Sequence, residues 1–218
     1  MSARKLQLLL MELRISNYIV LLCFLISIPI LWNKQLYTRI IFWILFQNLV
    51  IDYLALFFLK YTSLIYNLHT ILETSLIIYI YFSFYKVRRN WIVYTYFLLI
   101  LLDLINCFFI QGWNTFHINT YLPIGLFITL LSFLYLKWQV ESSDIGFWEN
   151  SLNWFSIANL IYYSCHIPVF SSLFYLTKNN PSLGNKLFTI NTILYCIWLI
   201  FITLGLQWKK LQKILVTS

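Results

Sequence analysis

The chain has 218 residues, 61% of them hydrophobic and only 10% charged, with a formal net charge of +8. A soluble domain carries about 25% charged residues, so this composition and a mean hydropathy of +0.78 exclude water as the solvent for most of the surface. The positive residues fall in loops and tails, where anionic headgroups attract them, so nucleic-acid binding is not expected.

Residues 1–14 pair Leu6, Leu9, Leu10 and Leu13 with Arg4, Lys5, Glu12 and Arg14. This basic, partly amphipathic stretch reads as an interfacial lead-in. Seven apolar stretches follow: Ile15–Trp32, Ile40–Leu59, Leu64–Tyr85, Trp91–Ile110, Tyr121–Trp138, Leu152–Leu176 and Leu187–Trp208. Each approaches the ~20 residues that a bilayer core requires of a helix. Their length and lack of alternation exclude strands, and a helix satisfies its own backbone hydrogen bonds in lipid. The expected fold is therefore all-α, a polytopic seven-transmembrane-helix up-down bundle over 15–208, followed by a basic cytoplasmic tail over 209–218.

Trp32, Tyr61, Trp91, Trp138 and Trp208 stand at the ends of these stretches, as an aromatic belt requires. Pro29, Pro123 and Pro168 are expected to kink helices. The first apolar stretch is long for a signal peptide and no small-residue cleavage site follows it, so no cleavable signal is expected. Cys23, Cys107, Cys165 and Cys196 lie in apolar surroundings without a CxxC pair and read as small hydrophobes. No internal repeat is evident. The abundance of Ile, Asn, Lys, Phe and Tyr matches the bias of an AT-rich genome.

Lys34, Arg39, Lys86, Arg88, Arg89, Lys137, Lys209, Lys210 and Lys213 gather on one side of such a bundle. Arg4, Lys5, Arg14, Lys60, Lys178 and Lys186 fall on the other. The larger set marks the cytoplasmic side, which puts the N-terminus outside and the C-terminus inside.

Polar residues interrupt the apolar stretches at Gln47, Asn48 and Asp52, then Asn67, His69 and Glu73, then Asp103 and Asn106, Asn159 and His166, and Asn191. His69 and Glu73 are four residues apart and share a helix face; Asn159 and His166 are two turns apart and do the same. With alternating helix directions, Asp52, Asp103 and His166 come late in outward helices, while His69, Glu73 and Asn191 come early in inward ones. All six then fall in the external half. Each acid at mid-membrane costs roughly 2.5–3.5 kcal/mol, so such residues face the bundle interior and find partners. Three acids and two histidines cannot all neutralise one another as fixed ion pairs. Either a carboxyl is held neutral, or a cation or cationic ligand answers it. Asp52, His69, Glu73, Asp103, Asn106, Asn159 and His166 are accordingly the candidate ligand- or ion-binding residues; interhelical hydrogen bonding is the competing role for each.

Several chemistries fit poorly. A retinal protein needs a Lys within its last helix, and Lys186 precedes while Lys209 follows the seventh stretch. A membrane zinc hydrolase needs several His with an acid; only His69 and His166 are intramembrane, and His117 belongs to the loop 111–120. A haem held by those two histidines rests on the count alone. No catalytic residue or cofactor is expected, and an enzyme is the weaker reading. The loop QGWNTFHINT over 111–120, with Trp113 and Phe116, could cover a pocket. The acidic loop 141–150 offers Asp144 as a helix N-cap, and Phe147 and Trp148 as headgroup anchors.

Thr70-Ile71-Leu72-Glu73, Phe109-Ile110-Gln111 followed by Phe116, Ser132-Phe133-Leu134-Tyr135, and Phe147-Trp148 leading to Asn159-Leu160-Ile161-Tyr162-Tyr163-Ser164 form a further pattern. In these stretches the chain resembles a family of small, uncharacterised bacterial seven-helix integral membrane proteins, from about residue 40 to the end. Members often carry a Glu near the start of the fifth helix, where this chain has Pro123, Ile124 and Gly125. The resemblance implies a bacterial inner-membrane protein and a companion of sensor-kinase systems. The leading expectation is a receptor-like or signalling-accessory protein with a polar, acidic pocket in the external half. Its partners would be the bilayer and a signalling or membrane-complex protein at the cytoplasmic loops. A proton- or cation-coupled small-solute transporter and a structural subunit of a membrane complex are the alternatives.

Overall fold

The computed structural model describes residues 16–32, 35–58, 61–84, 89–112, 115, 117–142 and 146–217. The lead-in over 1–14, Trp113, Phe116 and Asp144 lie outside them.

Seven helices and no strand make up the described residues. They are α1 (Ser16–Leu31), α2 (Leu36–Phe57), α3 (Thr62–Phe84), α4 (Arg89–Ile105), α5 (Ile118–Ser142), α6 (Ser151–Asn179) and α7 (Pro181–Thr217). The last turn of α1 tightens to a 3-10 helix over Ile28–Trp32, at Pro29, which has no N–H to continue an α-helical ladder. Past Ile105, α4 runs on as a π-helical turn over Asn106–Ile110, closed by the Gln111 N–H donating to the Asn106 carbonyl (2.8 Å).

Among the described residues, five helices are long and apolar enough to cross a membrane: α2, α3, α4 with its π turn, α5 and α7. The apolar part of α1 is shorter. α6 is not among the five, and its place explains why. It packs most extensively against α7 and α5, with Asn153, Ser156, Asn159 and His166 buried. These polar side chains face neighbouring helices rather than lipid, which lets this stretch be less apolar.

The helices alternate in direction. Tyr37, at the start of α2, meets Phe84 at the end of α3, with ring centroids 5.7 Å apart. At the same end Trp154, early in α6, meets Trp208, late in α7 (4.9 Å). The Gln207 side-chain amide also donates there to the Ile26 carbonyl of α1 (2.7 Å). The core between the helices is built from Ile41, Ile44, Leu45, Ile77, Ile80, Ile128, Leu131, Phe155 and Leu199, among others. The outward faces, such as Phe97, Phe108 and Phe109 on α4 and its π turn, stay exposed. Large apolar side chains exposed in this number fit lipid as the solvent.

Two boundaries differ from those read in the sequence. Only Asn180 separates α6 from α7, because the Asn180 side chain accepts from the Leu183 N–H (3.3 Å) and Pro181 opens α7, where its missing donor costs nothing. The polar stretch expected as a loop is therefore helical. At the other end α7 continues through the basic tail to Thr217. The α6 N-terminus is capped by Asn150, whose side chain accepts from the Leu152 N–H (3.0 Å). A 3-10 turn, Phe147–Glu149, precedes it, with Trp148 half exposed.

Candidate functional site

The polar residues read from the sequence separate into three groups, all drawn from the helix interfaces. The first joins α2, α3, α6 and α7 around two carboxylates. Glu73 is buried (9% exposed) because it faces inward from the middle of α3. Its Oε1 accepts from the Asn48 amide (3.2 Å) and its Oε2 from the Tyr163 hydroxyl (3.4 Å). Asn48 lies one turn before Asp52 on α2, so both present to the same neighbours. The Tyr195 hydroxyl of α7 sits between them, 2.9 Å from Asn48 Oδ1 and 3.3 Å from Asp52 Oδ2. Its one proton can serve only one of them; both contacts are filled only if Asp52 is protonated and donates to the Tyr195 oxygen. The Tyr66 hydroxyl donates to Asp52 Oδ1 at 3.4 Å. The contacts to Asp52 are long for a hydroxyl and a carboxylate and are correspondingly weak.

Two acidic side chains thus share one layer. Among the described residues the ion pairs are His117–Asp103 and Lys137–Glu141, and neither Asp52 nor Glu73 takes part in one. The histidines expected beside them do not close the account. His69 shares the α3 face of Glu73, and its backbone carbonyl accepts from the Gln47 amide (3.2 Å), but its Nε2 has no hydrogen-bond partner among the described residues. His166 is 2% exposed, and among the described residues neither ring nitrogen makes a hydrogen bond of full geometry, although the Asn191 side chain lies within interaction range. Aromatic rings hold it instead: it stacks on Phe170 at 4.4 Å, with Tyr121 at 4.9 Å and Tyr162 at 5.0 Å. Asn191 Oδ1 is a further buried acceptor, with His166 as its nearest interaction and no hydrogen bond of full geometry among the described residues.

The second group centres on Asn159 and is fully answered. Its Oδ1 accepts from the Trp198 indole (2.8 Å), and its amide donates to the Tyr81 hydroxyl (3.4 Å). That hydroxyl also lies 2.8 Å from Ser132 Oγ and 3.0 Å from Ser156 Oγ. Helices α3, α5, α6 and α7 meet there. Every member has its partner, which is what an interhelical tie requires and an open ligand site does not.

The third group lies at the loop after α4. Asp103 accepts from the Thr120 hydroxyl and stands 3.0 Å from His117 Nδ1. Asn106 donates from its amide to Gln111 Oε1 (2.7 Å). On α3, Asn67 accepts from the His117 N–H (3.1 Å) and donates to the Thr115 carbonyl (2.9 Å). Asp103 and Asn106 therefore fasten this loop, and the hydrogen bonds of Asp103 run to it rather than to Asp52 or Glu73.

Sequence reading named the acids but not the tyrosines that bridge them. Tyr66, Tyr163 and Tyr195 pass as hydrophobic in a chain with 16 tyrosines. The one available signal was Tyr162 and Tyr163 side by side between Asn159 and His166. His117 was read as a loop residue, yet it is buried. Among the described residues no three His, Cys, Asp or Glu side chains lie close enough together to hold a metal ion.

Compared with protein-family models, with curated proteins and with solved structures, the chain gives no match.

Proposed function

We propose that this chain is a receptor-like or signalling-accessory membrane protein of the bacterial inner membrane, crossing it seven times with the N-terminus outside and the C-terminus in the cytoplasm. The ligand or ion site is the polar layer of Asp52 and Glu73. Asn48, Tyr66, Tyr163 and Tyr195 bound it by hydrogen bonds, and His69, on the α3 face of Glu73, would supply a further contact through its Nε2. The observation that carries this reading is the pair of carboxylates, weakly hydrogen-bonded and outside any ion pair among the described residues. The Asn159 group closes on itself, as structural ties do; in this layer the carboxyl groups meet only weak hydrogen bonds.

The mechanism follows from where the layer lies. Asp52 and Asn48 belong to α2, Glu73 to α3, Tyr163 to α6 and Tyr195 to α7. A cation or proton taken up there removes the repulsion between the acids and changes which acceptor the Tyr195 hydroxyl serves. The four helices would repack and alter the cytoplasmic loops, where a signalling or membrane-complex partner would read the change. The shift cannot exceed the ligand's differential affinity for the two packings. The same acids also support a second reading, a proton- or cation-coupled carrier, which substrate flux in proteoliposomes separates from the first.

The test is thermal stability of detergent-purified protein against pH, metal ions and a ligand panel, for wild type and Glu73→Gln. A stabilisation by one addition that the variant loses supports the site. No response to any addition, with an unchanged or stabilised variant, turns the protein into a structural subunit held by buried polar contacts.

A further inference from the structure

Asn48 fixes where the hydrogens of the Asp52–Glu73 layer lie. Its Nδ2 is 2.9 Å from the Ile44 carbonyl oxygen and 3.2 Å from Glu73 Oε1. A carbonyl oxygen only accepts, so this is the donor end of the amide, and both of its hydrogens are spent. Asn48 Oδ1 is then an acceptor, and the Tyr195 hydroxyl, 2.9 Å away, is the donor that answers it. That uses the single hydrogen of Tyr195. The Tyr195 oxygen nevertheless lies 3.3 Å from Asp52 Oδ2, and a hydroxyl oxygen facing a carboxylate with no hydrogen between them is repelled. The hydrogen for this contact has to come from Asp52. Glu73 differs, because it faces donors alone: the Asn48 amide at Oε1 and the Tyr163 hydroxyl at Oε2 (3.4 Å). It needs no hydrogen of its own.

Taking this layer as the ion site, we infer that its ion is a proton, held on Asp52 Oδ2 and donated to the Tyr195 oxygen. Larger cations fit the layer less well. A calcium or magnesium ion takes about six or more oxygen ligands. Here both oxygens of Glu73 and Oδ1 of Asp52 are turned to N–H and O–H hydrogens, the Tyr66 hydroxyl facing Oδ1 at 3.4 Å. An organic cation is held over open ring faces, but Tyr162, Tyr195 and Trp198 pack on one another, with centroids 5.6, 6.0 and 6.4 Å apart. With Asp52 protonated the donors run in one direction: Asp52 to Tyr195, Tyr195 to Asn48, Asn48 to Glu73. The path leads from α2 to α7, back to α2 and on to α3. Loss of the proton draws the Tyr195 hydrogen to the Asp52 carboxylate and leaves Asn48 Oδ1 without its donor, so the tie between α7 and Asn48 opens. The titratable groups within electrostatic reach of Asp52 are Glu73 and Tyr66 on α3, Tyr162 on α6, and Tyr195 and Cys196 on α7. Cys23 of α1 reaches Cys196, and His69, Tyr121 of α5 and Tyr163 reach Glu73.

Infrared difference spectroscopy of the full-length protein in detergent, titrated from acid to alkaline pH, reads the proton directly, because a carboxylic acid and a carboxylate absorb at different frequencies. Wild type should show a carboxylic-acid band that is lost towards the alkaline end. The band should be absent at every pH in Asp52→Asn and remain in Glu73→Gln. In Tyr195→Phe it should persist but shift, since the acid loses the oxygen to which it donates. If Asp52→Asn does not fold, Asp103→Asn grown with carboxyl-labelled aspartate serves instead: the label moves the band if Asp52 carries it and leaves it in place if Glu73 does. A band that belongs to Glu73, a band constant across the titration, or no band in wild type overturns the proton on Asp52. Thermal stability judges the layer as a site separately. A missing band in a protein that a metal ion still stabilises removes the proton and keeps the site; a constant band in a protein that answers no addition removes both.

Discussion

α6 and α7 approach closely at Gly205, and adding one methyl group there should be costly. A Cβ built on Gly205 would meet Trp154 Cβ at 2.2 Å and Cγ at 2.7 Å. Carbon atoms rest at about 3.5–4.0 Å, so the helices must part by more than an ångström or Trp154 must leave its place. Neither is easy. Trp154 is buried, its indole donates to the Trp148 carbonyl (3.0 Å), and its ring packs on Trp208 at 4.9 Å and Trp148 at 5.2 Å. The first clashing atom is its Cβ, which no rotamer change can move. Overpacking of this kind costs about 1–3 kcal/mol, and the better helix propensity of Ala over Gly returns about 1. The clash is severe enough to place Gly205→Ala in the upper half of that range, for a net loss of about 1–2 kcal/mol. At about 2–4 °C per kcal/mol for a chain of this size, thermal unfolding in detergent should shift down by about 2–8 °C. Gly205→Leu should lose more. Gly125 is the internal control. Its added Cβ would find Tyr163 at 3.4 Å and Ile167 at 3.5 Å, ordinary contact, so Gly125→Ala should be neutral or slightly stabilising. An unchanged or raised midpoint for Gly205→Ala would refute the argument, because α6 and α7 could not then be packed as closely as described.

Three further outcomes follow from the hydrogen bonds. Tyr81→Phe removes a hydroxyl shared by Ser132, Ser156 and Asn159; interhelical bonds in membrane proteins average about 0.6 kcal/mol and reach about 1.7, so the midpoint should fall by a few degrees with no change in ligand response. Asn150→Ala deletes the α6 cap and the contact of Asn150 with the Tyr135 hydroxyl (3.1 Å), and should cost about 0.5–2 kcal/mol in chemical or thermal unfolding. Tyr195→Phe removes the hydroxyl between Asn48 and Asp52. On the proposed function it should abolish or shift the ion or ligand response while changing basal stability less than Gly205→Ala does; a response identical to wild type would detach Tyr195 from the site.

The apolar stretches made the helices of this protein legible from the sequence, because length and hydropathy report the solvent around a helix directly. The same logic missed the extent of α7. Pro181 and the polar residues after it look like a loop, but a cap from Asn180 and a proline at the first helical position extend the helix without any apolar signal. In α6, Asn153, Ser156, Asn159 and His166 face neighbouring helices, so that segment is less apolar than a lipid-facing helix. The acids were visible as individual costs. Their partners were not, since tyrosine counts as hydrophobic in a periodicity argument and acts as a donor only when rotated inward.

Membership in a helical, largely apolar bundle, and the presence of carboxylates too expensive to face lipid, were determined by the sequence itself, because each depends on one residue and its solvent. Which carboxylate stands alone and which is answered was decided only by tertiary structure. Asp103 turns to His117 because the loop after α4 folds back, and Glu73 reaches Asn48 and Tyr163 because α3 is rotated towards α2 and α6. Rotation about a helix axis is set by packing against neighbours from distant parts of the chain.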